Sequence, residues 1–70
     1  MDKISVFTKI MEIYNDSSHP SEQETVALID ALGKIGNDLA INKIESIYNN
    51  SKKSLPIKIA IYAALSNCIE

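Results

Sequence analysis

The stretch Ala31-Leu32-Gly33-Lys34-Ile35-Gly36-Asn37-Asp38-Leu39-Ala40 reads as the end of one helix, a glycine stop and the capped start of the next. Gly36 follows the last apolar residue of a helical pattern, where a left-handed residue closes a helix without a Cβ penalty. Asn37 or Asp38 then supplies a side-chain oxygen for the unpaired N–H groups of the following helix, and Asp38 adds favourable charge to its first turn. Gly33 lies within the last turn before the stop. It lowers helix propensity there, so it marks a place where a neighbouring helix comes close.

Working outward, the same logic divides the whole chain. Upstream, Val26, Ala27, Leu28, Ala31, Leu32 and Ile35 form the apolar side of a second helix. Pro20 stands at its start, Ser21 with Glu24 offers a capping box, and Glu22 and Glu24 suit the positive end of the dipole. Before that, Ile4, Val6, Phe7, Ile10, Met11, Ile13 and Tyr14 recur at spacings of three and four, a first helix that stops in the turn-forming Asn15-Asp16-Ser17-Ser18-His19. Downstream, Ala40, Ile41, Ile44, Ile47 and Tyr48 mark the buried side of a third helix, with Asn42, Lys43, Glu45 and Ser46 facing water. A loop over residues 49–53 leads to Ser54, the expected cap of a fourth helix that holds Pro56 in its first turn and runs to about Cys68.

The chain repeats itself. Lys9-Ile10-Met11-Glu12-Ile13-Tyr14-Asn15-Asp16 lies over Lys43-Ile44-Glu45-Ser46-Ile47-Tyr48-Asn49-Asn50 at a shift of 34, with five of eight positions identical. At a shift of 33, Val26-Ala27-Leu28 lies over Ile59-Ala60-Ile61 and Ala31-Leu32 over Ala64-Leu65. A period of this length built from two helices is the mark of a solenoid. The expected organisation is one domain, 1–70, of two helical repeats, 1–36 and 37–70.

The junction Ala31 to Ile41 resembles that between units of bacterial HEAT-like repeats, the short type found in phycobilin lyase subunits. Those repeats run Ala-Leu-Gly-x-Ile-Gly, then a capping Asp, a Pro, and an Ala-Ile that opens the next helix. Here Asn37 stands at the Asp position and Asp38 at the Pro position, which keeps a cap. The family's Arg near the start of each second helix is replaced by Thr25 and Lys58, so the arginine hydrogen-bond ladder of longer arrays does not carry over. The resemblance implies an all-α fold: two helical hairpins, four antiparallel helices, stacked as a short α-solenoid. It also implies that the second helix of each hairpin lines an inner, concave surface. Outward positions there are Asp30 and Lys34 in the first unit and Lys58, Tyr62 and Asn67 in the second, the candidate protein-binding residues. Tyr62 is either the anchor of such a surface or a core aromatic with its hydroxyl in water.

Composition narrows function further. With 46% hydrophobic and 23% charged residues the chain belongs to the ordinary globular class. Its net charge is −2 and all seven basic residues are lysine, so it offers neither a basic footprint nor the arginine fork for nucleic acid. The longest apolar run, Ile59 to Leu65, is far short of the roughly 20 residues that span a bilayer, and the N-terminus lacks the layout of a signal peptide. A soluble, cytoplasmic protein is expected. The one cysteine, Cys68, has no intrachain disulfide partner, and no basic neighbour to activate it. His19, the only histidine, precedes a proline in a loop and reads as a turn residue. Gly33-Lys34-Ile35-Gly36 ends a helix, whereas a phosphate cradle precedes one. No enzyme, metal or cofactor is expected.

The fourth helix is the more telling feature. Ile57, Ile59, Ala60, Ile61, Tyr62 and Ala63 lead an apolar surface that runs almost all round it, with Lys58 the only charge before Glu70. A helix apolar all round expects burial on more than one side. Either its free side packs on a second copy of the chain, through Ile59, Ala63 and Ile69, or it is the central helix buried by the other three. The expected function is a non-enzymatic protein-binding or scaffold module, a homodimer through this helix. A small acidic inhibitor or immunity protein that blocks a toxin or host enzyme is the alternative. A lyase accessory subunit is a third, implied only by the resemblance.

Overall fold

Helix starts and stops are set by local chemistry. The computed structural model describes residues 2–50 and 54–68. Within them lie four α-helices and no strand: α1 (Lys3–Asn15), α2 (Glu22–Ile35), α3 (Asp38–Asn50) and α4 (Leu55–Asn67). The expected all-α class is the observed one. None of these helices is long and apolar enough to cross a membrane.

The junction behaves as its sequence reads. Gly36 adopts φ 69° and its N–H returns to the Leu32 carbonyl, closing α2. Asn37 is the cap of α3, its Oδ1 accepting from the Ala40 N–H at 2.9 Å, and Asp38 is the first helical residue. Gly33 does mark a close approach: a Cβ added there would stand 2.7 Å from the Cα and 2.8 Å from the Cβ of Ala64 on α4.

Other caps depart from expectation. Asp2, not singled out in the sequence, starts α1 by accepting from the Ser5 N–H at 2.7 Å. Pro20 lies outside α2, whose cap is Ser21. The capping box is half formed: Ser21 accepts from the Glu24 N–H, while the Glu24 carboxylate takes the Ser17 hydroxyl at 2.7 Å. That bond ties the α1–α2 loop to α2. Ser54 has the extended backbone of a cap but makes no cap hydrogen bond, and its buried Oγ has no partner. A cap takes the N–H of the second or third helical residue. Pro56, the second, has none to give, and Ser54 leaves the N–H of Ile57, the third, untaken.

Packing centres on α2. It touches each of the other helices, α4 most extensively, whereas α1 and α4 do not meet among the described residues. The central helix is therefore α2, which corrects the alternative that α4 is buried by the other three. Ile29 and Leu32 of α2 and Ile44 of α3 are the large side chains fully buried, and Leu28, Ile35, Ala40, Ile47, Ile57, Ile61 and Ala64 complete the core. Ile29 lies off the apolar stripe read from the sequence because α4 covers a second side of α2. Glu22 and Pro56 share one groove near the starts of α2 and α4, and Gly33 meets Ala64 near their ends. These two helices thus run side by side in the same direction.

The outer helices are covered less than their patterns predict. No residue of α1 is fully buried, and Ile4 and Ile13 are exposed, while Val6, Phe7, Ile10 and Met11 pack against the core. On α3, Tyr48 is exposed rather than buried. Thr25 is the one buried polar residue among those described, and its hydroxyl lies 3.2 Å from that of Tyr14, which satisfies it.

Candidate protein-interaction surface

The fourth helix has two apolar strips and uses one. Ile57, Ile61 and Ala64, at i, i+4 and i+7, are buried against α2 and α3. On the opposite side Leu55, Ile59 and Tyr62 repeat the same spacing and remain 68%, 56% and 66% exposed. Ser66 continues that strip and is exposed as well. Fully burying one side chain of this size contributes about 1.5–3 kcal/mol, so the uncovered strip holds a substantial unused driving force.

Around this strip lie two grooves. Between α2 and α4 runs one of about 560 Å³, with Val26, Ala27, Ala60 and Ala63 in its walls and Glu22 and Asp30 among its polar residues. Between α3 and α4 a smaller one of about 260 Å³ is bounded by Tyr48, Glu45, Tyr62 and Leu65.

The structure separates the residues expected to bind a partner. Asp30 and Lys34 form an exposed ion pair one turn apart at 3.4 Å, a geometry worth about 0.3–0.5 kcal/mol. Asp30 borders the α2–α4 groove, whereas Lys34 borders an apolar cleft between α1 and α2. Tyr62 lies in the α3–α4 groove with its side chain exposed, so it is not a core aromatic. Lys58 is half-buried and Asn67 exposed. Of the self-association candidates, Ile59 is on the exposed strip and Ala63 on its flank toward α2. Ile69 lies outside the described residues. Leu55 was missed by the sequence reading, although its i, i+4, i+7 relation to Ile59 and Tyr62 was available there.

Other reactive groups stand apart from this surface. His19 is exposed in the α1–α2 loop. Cys68 is half-buried at the end of α4, its Sγ 4.0 Å from the Gly33 carbonyl oxygen, the limit of a weak S–H···O contact. No three His, Cys, Asp or Glu side chains gather as a metal site among the described residues. The Ser5 N–H and hydroxyl hold the Asp2 carboxyl below its ordinary value.

Compared with protein-family models, with curated proteins and with solved structures, the chain matches none.

Proposed function

We propose that this chain is a non-enzymatic protein-binding module of two HEAT-like hairpins that self-associates through α4. The observation that carries the proposal is the exposed strip Leu55, Ile59 and Tyr62, directly opposite the strip by which α4 is held in the fold. An apolar strip of this kind on a helix marks a second packing surface. The absence of contact between α1 and α4 in the described residues supports an open stack over a closed four-helix bundle. The acidic balance and the lack of arginine support a protein partner over a nucleic acid, and a cytoplasmic setting belongs to the same proposal. Light scattering on a size-exclusion column across a concentration series tests it. The expected result is a mass that rises to a dimer or beyond; a monomer at every concentration overturns it.

One observation favours a second reading, an inhibitor of a toxin or host enzyme. The α2–α4 groove combines an apolar wall with the carboxylates of Glu22 and Asp30, which suits a partner bearing basic residues around an apolar centre. Pull-down of such an enzyme, with binding weakened by salt and by Glu22→Lys, is its test.

A further inference from the structure

The internal repeat says what kind of surface fits the uncovered face of α4. Within the chain, Val26, Ile29 and Gly33 lie at i, i+3 and i+7 on one strip of α2. That strip receives α4: Gly33 meets the backbone of Ala64, Val26 borders the groove shared with Ala60, and Ile29 is wholly excluded from solvent. The repeat shift of 33 carries these three residues onto Ile59, Tyr62 and Ser66, and carries Glu22 onto Leu55. All four are exposed on α4.

The same shift run backwards finds the other half. The face that α4 presents to α2 includes Ala60 and Ala64. Their equivalents on α2 are Ala27 and Ala31, identical in type. Ala27 is exposed and Ala31 half-buried, and with Ile10 and Ile13 of α1 they line an apolar groove between α1 and α2, Ala27 also edging the α2–α4 groove. Ile13 there is 65% exposed. One chain therefore carries an uncovered counterpart of each half of an interface it already forms internally.

We infer that the partner of α4 is a second copy of this chain stacked head to tail, with Leu55, Ile59 and Tyr62 of one copy seated on Ala27, Ala31 and Ile13 of the next. This rests on the self-association proposed above and specifies its geometry. The contact is heterologous, so it leaves one free head and one free tail and propagates unless a ring closes. A two-fold pairing of α4 with itself leaves the α1–α2 groove uncovered; head-to-tail stacking covers both. Ser66 sets the spacing. It stands where Gly33 stands in the internal contact, and a Cβ at Gly33 would be 2.7 Å from the Ala64 backbone. Ser66 thus holds the incoming Ala31 farther out, and the contact between copies is looser than the one between α2 and α4.

Sedimentation velocity on the full chain and two exposed-site variants tests the inference, with circular dichroism and thermal melting to show that each variant folds. Ile59→Lys blocks the tail and Ala27→Lys blocks the head. The wild type is expected to form species larger than a dimer as concentration rises, and each variant alone to stay monomeric. A mixture of the two variants is expected to form a dimer and stop there, because one intact head and one intact tail remain. Ser66→Gly is expected to move association to several-fold lower concentration. An Ala27→Lys variant that still dimerises while Ile59→Lys does not, or a mixture that fails to pair, overturns the head-to-tail geometry and leaves self-association standing. An unchanged association for Ser66→Gly overturns the repeat-matched alignment. A wild type that stays monomeric throughout overturns both proposals.

Discussion

Gly33 of α2 and Ala64 of α4 meet so closely that a Cβ on the glycine would lie 2.7 Å from the alanine Cα. The obstacle is backbone, which cannot rotate away as a flexible side chain can. Replacing a helical glycine by alanine ordinarily favours the helix by about 1 kcal/mol. Here Gly33→Ala is expected to destabilise the protein on balance, since overpacking costs about 1–3 kcal/mol and forces α2 and α4 apart. Urea unfolding measures the sign directly. Adding Ala64→Gly should recover only part of the loss, because it removes the Cβ at 2.8 Å and leaves the Cα at 2.7 Å. Full recovery would place the clash in the alanine methyl alone.

The Tyr14 and Thr25 hydroxyls, 3.2 Å apart, join α1 to α2 around the one buried polar residue described. Tyr14→Phe is expected to cost about 0.5–1.5 kcal/mol, the ordinary net contribution of such a bond. Thr25→Val should cost a similar amount. Loss in the double variant should be smaller than the sum of the singles; strict additivity in a double-mutant cycle would show that the two groups do not interact.

Two serines at helix starts should respond differently to removal. Ser21 accepts the Glu24 N–H at 3.1 Å, so Ser21→Ala is expected to cost about 1 kcal/mol. Ser54 makes no cap bond and its Oγ is buried without a partner, so Ser54→Ala should change stability by less than about 0.5 kcal/mol. Thermal unfolding of the pair gives the comparison, and equal losses would contradict the difference in bonding.

Acid should loosen the start of α1 only below the ordinary aspartate range. The N–H and hydroxyl of Ser5 stabilise the ionised Asp2 carboxyl and lower its pKa from 3.8. A depressed folded value means the cap is fully effective above pH 3.8 and is lost as pH falls through the folded pKa. The Ser5 amide signal in NMR spectra, followed from pH 6 downward, should report this step at a pH below about 3.9, the usual aspartate value. Asp2→Asn keeps an acceptor and should abolish the step; a step that persists would belong to another group.

Much of the fold was legible along the chain because helix ends are local. Gly36, Asn37 and Ser21 act through bonds spanning three or four residues, so residue type and order suffice to place them. The exceptions are local too. Ser54 makes no cap bond at the start of α4, and Glu24 turns to Ser17 instead of closing the capping box. The candidate surface was only half legible. A strip at i, i+4 and i+7 is visible in α4, but the sequence does not say which of two such strips is used in folding.

By itself the sequence determined four helices, their stops, and the demand of Gly33 for a close neighbour, since propensity, capping and a missing Cβ are properties of single residues and short spans. The tertiary structure alone decided that the neighbour is Ala64, that α2 and not α4 is central, and that Ile29 is buried while its repeat equivalent Tyr62 is exposed. The reason is physical. Ile29 and Tyr62 occupy matching places on their own helices, and burial depends on whether another helix lies across that place, a fact that no local pattern carries.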